Sequence, residues 1–217
     1  MINDLKLGIK LLKYSAQLKT SILMAVLFFL FGVLSTIFLD SPVSYGGLLI
    51  MVNAIWPVQL LYSINASTQV QSSSSKKKLQ TSVPAMIYTG CELILYTIFI
   101  VLHLVLSHFH PEHTELLVNT ILFTGIATFL LALYTGTAYK YFFLSIALFF
   151  ITYLVFTMFG NYFTYNEFNI PLSLPVTILI GYVLVILGGL LQYLLYLLFY
   201  KHNLSKYAQC NTMRKCM

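Results

Sequence analysis

SILMAVLFFLFGVLSTIFL, residues 21–39, runs for nineteen residues without a charge. An α-helix rises 1.5 Å per residue, so about 20 residues of this kind cross a hydrocarbon layer ~30 Å thick. Apolar stretches of similar length recur at about 46–64, 82–106, 116–135, 141–160 and 175–200. Together they occupy most of the 217 residues and leave no room for a separate soluble domain. Charged residues make up 8% of the chain and apolar residues 59%, whereas a soluble domain carries roughly 25% charged. Only a bilayer solvates so much apolar surface. The expectation is an all-α polytopic membrane protein of six transmembrane helices.

The interruptions between these stretches set the boundaries. Residues 1–20, MINDLKLGIKLLKYSAQLKT, place Leu5, Gly8, Ile9, Leu12 and Ala16 at helical spacing, with Lys6, Lys10, Lys13 and Lys19 elsewhere. That pattern predicts an amphipathic helix lying at the membrane surface, lysines toward water and anionic lipid. A signal peptide is not expected, because the next apolar run is long and no small-residue cleavage site follows it. Asp40-Ser41-Pro42 ends the first span. Pro57 predicts a kink in the second. The most polar stretch, NASTQVQSSSSKKKLQTS at 65–82, precedes span three, with Ser82 as a candidate N-cap and Pro84 in the first turn. SHFHPEHTE follows at 107–115, and Gly136 to Lys140 marks a tight turn. Residues 161–175, broken by Pro171 and Pro175, read as an outer loop or re-entrant piece, and 201–217 as a tail.

The charges test this count. Cytoplasmic loops collect Lys and Arg. With six spans and the N-terminus inside, the inner segments are 1–20, 65–82, 136–140 and 201–217. They hold all twelve basic residues, while Asp40, Glu112, Glu115 and Glu167 fall outside. Both termini are therefore expected in the cytoplasm. The net charge of +6 then reflects membrane topology, and nucleic acid is not an expected partner. The preference for lysine over arginine suggests a bacterial source, hence a bacterial plasma membrane. Cys91 falls within a span and Cys210 and Cys216 in the tail, so no disulfide framework is expected.

Enzyme signatures are missing. There is no G-x-x-x-x-G-K-[ST] phosphate loop, no H-E-x-x-H, no G-x-S-x-G and no Asp-rich magnesium repeat. Polar residues within spans are then the candidates for function. Glu92 is the single acid in a span, where a charge costs about 2.5–3.5 kcal/mol on insertion scales. Tyr88 and Tyr96 stand four residues to either side, on the same helix face. The trio is either a polar spot on a transport path or dimer seam, or a protonated, internally bonded Glu that fixes packing. Asn53, Trp56, Gln59 and Ser63 share one face of span two. That face either lines a cavity or bonds neighbouring helices. His103, His108, His110 and His113, with Glu112 and Glu115, match no firm metal-ligand spacing and read as a polar outer loop. Cys210 and Cys216 lack partners for a metal site.

The amphipathic N-terminal helix, the string Gln71–Pro84 opening span three, and the Pro-broken segment before span six together resemble a permease subunit of the ABC-2 superfamily. The short six-span bacterial forms are most similar, including membrane subunits of amphipathic-peptide exporters of the phenol-soluble-modulin type. The resemblance covers the chain in outline, and only 71–84 is a fairly specific string. It implies that residues 1–20 form a connecting helix and that Ser72, Ser73, Ser74, Ser75, Lys76, Lys77, Lys78 and Leu79 form a coupling element gripping a separate ATPase subunit. Lys140 would lie in a second short contact. Two permeases, as a homodimer, would pair with two ATPases; ATP and Mg would bind in the partner, with no cofactor in this chain. The cargo would be an amphipathic or antimicrobial peptide or a hydrophobic compound. Two other readings stand beside it. One is the six-span substrate-binding component of a vitamin or small-molecule uptake transporter. The other is an intramembrane cysteine peptidase using Cys91, weakened because His103 lies roughly 18 Å along the same helix.

Overall fold

The computed structural model describes residues 2–15, 17–38, 45–65, 67–109, 114–138, 140–165 and 170–202. Among these, the regular structure is entirely helical: α1 Ile2–Leu12, α2 Leu18–Phe38, α3 Tyr45–Met51, α4 Ile55–Asn65, α5 Thr68–Gln71, α6 Lys76–Gln80, α7 Ser82–Phe109, α8 Thr114–Ala138, α9 Phe142–Tyr165 and α10 Leu174–Phe199. Five segments are long and apolar enough to cross a membrane: Leu18–Phe38, Tyr45–Asn65, Lys76–Phe109, Leu117–Ala138 and Leu174–Phe199. At the position expected for span five, α9 is 24 residues long, and its described apolar stretch is Phe143–Leu154.

The centre is built from α3–α4, α7, α8 and α10. Helices α8 and α10 pack most extensively. Gly125 meets Gly181, Ala132 meets Gly188 and Gly136 meets Gln192, each pair separated by the same number of residues, so the two helices run parallel. The close approach rests on small residues, which let backbones touch where no hydrophobic force drives association in lipid. Against α10, α7 runs antiparallel: Thr89 lies on Gly189 and Tyr96 on Gly181. Helix α9 packs chiefly on α8, and α2 chiefly on α3. At that second contact Gly46 lies so near the Gly32 carbonyl that a Cβ there would stand 2.4 Å from its oxygen.

Outward faces are apolar. Ile94, Ile98, Val101 and Val105 form a ridge on α7, and Val176, Leu179, Val183, Leu187, Leu190, Leu194 and Leu198 form one on α10. Apolar stripes of this length would be an aggregation surface in water; they fit a membrane-embedded protein, whose lipid-facing side is of this kind.

The break in span two lies where Pro57 predicts one. Residues Val52–Ala54 form a 3-10 turn between α3 and α4. A proline clashes with the carbonyl four residues back and donates no hydrogen bond to it, here that of Asn53. The Asn53 side-chain amide donates to the Leu49 and Ile50 carbonyls, at 2.9 and 3.1 Å, and so stays within its own helix.

Some boundaries shift. Span three continues to Phe109, and 161–165 belong to α9 and not to the loop expected over 161–175. The described part of that loop, 170–173, is non-helical. The Ser82 hydroxyl donates back to the Lys78 carbonyl at 3.3 Å and does not serve as the expected cap of α7. The N-terminal amphipathic stretch is two pieces: α1 ends in a turn at 13–14, and α2 has begun by Leu18. Asp40-Ser41-Pro42, Ala16, Glu167 and the tail from 203, with Cys210 and Cys216, lie outside the described residues.

Candidate functional site

The lysine-bearing segments meet at one end of the bundle. Helix α1 lies in the groove between α4, α6 and α7. Leu5, Leu11 and Leu12 pack there on Leu61, Val70, Leu79, Val83 and Ile87. Gly8 is the point of closest approach: a Cβ on it would stand 2.3 Å from Val83 Cγ1. Ile9, expected on this face, is 51% exposed, because the packed face follows residues 5, 8, 11 and 12, and Ile9 turns about 100° from Gly8. The Ser15 and Ser63 hydroxyls, 2.9 Å apart, tie the start of α2 to the end of α4.

Within 65–82, the expected coupling element is a turn at Ser72–Ser75 followed by α6, with Lys77 and Lys78 exposed and Lys76 half-buried. Leu79 is not offered to a partner; it is buried in the cluster under α1. The Asn65 amide donates to the Leu79 carbonyl at 2.7 Å, and the Gln71 amide to the Asn65 carbonyl at 2.6 Å. The loop is thus pinned at both ends to the α4 terminus while its lysines stay outward.

Lys140, on the turn between α8 and α9, donates to the His202 carbonyl at 2.5 Å. Partial burial, and secondarily repulsion from Lys76, pulls its pKa down from 10.5 to about 8. That repulsion means the two loops expected to touch a partner lie within electrostatic reach of each other. Tyr141 meets the His202 ring at 2.8 Å, so the start of α9 and the end of α10 join the same surface.

The intrahelical candidates separate. Glu92 is 1% exposed, inside the bundle of a single chain, so it does not lie on an outer seam. Tyr88 adjoins it, yet the Tyr88 hydroxyl and both Glu92 oxygens have no hydrogen bond of good geometry. Tyr96 turns away from Glu92: its hydroxyl donates to the Ile121 carbonyl at 3.1 Å, and its ring meets Tyr182 edge-on at 5.3 Å. The span-two face is not gathered around Glu92 either. Trp56 packs on Phe28 of α2 at 5.9 Å, its indole N–H buried and unpartnered, and Ser63 serves the α1 junction. Gln59 is half-buried. His103 meets Phe99 edge-on at 4.4 Å and His108 is exposed; His110, Glu112 and His113 lie outside the described residues, as does the side chain of Glu115.

A second polar cluster escaped the sequence reading. The Tyr62 hydroxyl donates to the Thr135 carbonyl at 2.5 Å and lies 2.5 Å from the Tyr196 hydroxyl. The Gln192 amide donates to Thr135 Oγ1 at 2.9 Å and to the Tyr196 hydroxyl at 2.8 Å. These four residues knit α4, α8 and α10. The signal was available: Thr120, Thr124, Thr128, Ala132 and Gly136 recur every fourth residue, as do Thr177, Gly181 and Val185, followed by Gly188, Gln192 and Tyr196. A stripe of small and polar residues at that spacing marks a helix–helix seam.

Comparison with protein-family models, with curated proteins and with solved structures finds no match.

Proposed function

We propose that the chain is the membrane-spanning permease subunit of an ATP-driven exporter, working with a separate soluble ATPase. In this reading α9 is a sixth span of the ABC-2 type, both termini face the cytoplasm, and the host membrane is a bacterial plasma membrane. The observation that carries it is the shared end surface. Two loops far apart in sequence, at 72–80 and at Lys140, are close enough for their lysines to repel, and α1 braces the first of them against α4 and α7. A loop that merely obeyed the positive-inside rule would need no such bracing. A rigid cationic platform at helix ends suits a partner that pushes on it, and displacement of α6 would reach the core through Asn65 on α4 and through α7. Rocking of helices about packed seams is then the transport step, with two permeases and two ATPases in the assembly. The cargo is an amphipathic peptide or a hydrophobic compound. No residue here needs to perform covalent chemistry.

The experiment is co-purification of the full chain with a soluble ATPase, sought first in the neighbouring reading frame, followed by peptide-stimulated ATP hydrolysis in lipid. Replacing Lys76, Lys77 and Lys78 together by Glu should abolish both capture and stimulation while leaving the chain folded. Capture undiminished by that triple change refutes the platform. A cysteine at position 77 that is labelled only from outside the cell refutes the topology.

A further inference from the structure

We propose that Glu92 is an exchangeable proton-binding site inside the bundle, linked by a chain of tyrosine hydroxyls to the lysine-bearing end; this holds whether or not an ATPase drives the protein. The starting point is a buried carboxyl group with no cationic partner and no hydrogen bond of good geometry. Glu92 is 1% exposed, and neither oxygen makes a hydrogen bond. Lys19 and the three lysines of α6 are the only Lys or Arg side chains among the five membrane-length segments, and all sit at segment ends. Leaving a carboxylate buried without a counter-charge is among the most costly arrangements in a protein interior. A carboxylic acid in its place is neutral and gains a donor.

The groups facing Glu92 suit a proton better than a metal cation. From its own helix come Tyr88 and Cys91, both electrostatically coupled to it. From α10 comes Tyr196, coupled to Tyr88, and from α4 comes Tyr62, joined to Tyr196. Helix α8 contributes threonines, with Thr135 beside Tyr88. None of these neighbours is a second carboxylate. A bare cation wants about six hard oxygen ligands; a proton needs one acceptor.

The same neighbours form a path. Tyr88 lies within electrostatic reach of both Glu92 and Tyr196, with its hydroxyl bonded to neither in this arrangement. The Tyr196 and Tyr62 hydroxyls are in contact. Tyr62 lies one turn from Asn65, which holds the lysine-bearing loop. Rotation of the Glu92 carboxyl about its soft terminal torsion, with a matching shift of the Tyr88 ring toward Tyr196, is the motion that closes both gaps. Transfer then proceeds by relay. The Glu92 carboxyl gives its proton to the Tyr88 oxygen as Tyr88 passes its own hydroxyl proton to Tyr196. Tyr196 hands one to Tyr62, and Tyr62 hands one to water at the bundle end. Glu92 is left as carboxylate and every tyrosine is left neutral.

The test is infrared difference spectroscopy of the full chain in lipid. A protonated-carboxyl C=O band that disappears in Glu92→Gln reports Glu92. The expected result is a band present at pH 7, absent in Glu92→Gln, and lost reversibly as pH is raised while the helical amide band is unchanged. After a pH jump, Tyr196→Phe should slow the band's response at least about tenfold; Tyr96→Phe, whose hydroxyl points away from the path, should not. Should Glu92→Gln fail to fold, Glu92→Asp decides, since a band that belongs to residue 92 must shift in frequency in that variant. A band that is absent at pH 7 in sodium but appears when choline replaces it would overturn the proposal in favour of a sodium site. A band that survives unchanged until the helices melt would overturn it in favour of a static packing residue. Equal rates in the two Phe variants would overturn the relay.

Discussion

Adding one methyl group at Gly181 should be among the more damaging small changes to this bundle, whereas the same change at Gly90 should be harmless. A Cβ built on Gly181 stands 1.7 Å from the Tyr96 hydroxyl oxygen, 2.5 Å from its Cζ and 2.9 Å from its Cε1. Tyr96 cannot simply swing aside. It is fully buried, its hydroxyl bonds the Ile121 carbonyl, and its ring is flanked by Phe99 and Tyr182. Gly181→Ala therefore imposes overpacking, about 1–3 kcal/mol, and breaks an interhelical hydrogen bond that is worth about 0.6–2 kcal/mol in membranes. The sum is a loss of about 2–5 kcal/mol. At Gly90 a Cβ meets nothing within 4 Å, and alanine gains helix propensity of up to about 1 kcal/mol. Reversible unfolding in mixed micelles, titrated with a denaturing detergent, measures both. Tyr96→Phe removes the nearest clashing atom and should recover part of the Gly181→Ala loss but not all of it, because ring carbons remain inside 3 Å. If Gly181→Ala is as stable as Gly90→Ala, the antiparallel register of α7 on α10 is wrong.

Three further outcomes follow from the same packing. Lys140 has a folded-state pKa of about 8 against 10.5 when free, so between those values the unfolded chain binds more protons. Stability should rise with pH through that window and the rise should vanish in Lys140→Met, as unfolding midpoints at pH 7.5 and 10 would record; Lys76→Ser should narrow it. Gly8→Val should lift α1 from its groove, since its Cβ would lie 2.3 Å from Val83 Cγ1, and trypsin should then cut at Lys10 and Lys13 faster than in the wild type. Tyr62→Phe and Tyr196→Phe should each destabilise by roughly 0.5–2 kcal/mol and should do so non-additively, because their hydroxyls share one contact; an additive double-mutant cycle would dissolve the cluster.

The helical class and five of the six expected span positions were legible because a bilayer-crossing helix must be apolar along its length, which residues 21–39 display without any partner. The break at span two was legible from Pro57, whose effect is local and steric. What the sequence hid was direction around each helix axis. Ile9 and Gly8 look equivalent in an amphipathic count, but only a residue with no side chain admits Val83, and the bulkier neighbour is turned outward. Tyr88 and Tyr96 stand at equal spacing from Glu92, yet the glycine at 181 opens a slot that receives Tyr96 and takes it out of reach. Helix spacing shows which residues share a face; it does not show which of them the neighbouring helix has room for.

That distinction also explains why Gln192 was passed over in favour of Asn53 and Trp56. All are polar residues in apolar helices, so composition ranks them alike. Their neighbours differ. Asn53 spends its amide on carbonyls of its own helix, and Trp56 packs on the peripheral α2. Gln192 lies on the small-residue stripe of α10, the part of that helix that comes closest to α8. A polar group on such a stripe is obliged to face protein, because the stripe itself is what brings the second backbone near. The stripe therefore locates an interior polar cluster better than polarity alone. It singles out Thr135, Gln192 and Tyr196 on α8 and α10, and Thr89 against Gly189 leads on from them to α7, the helix that carries Glu92.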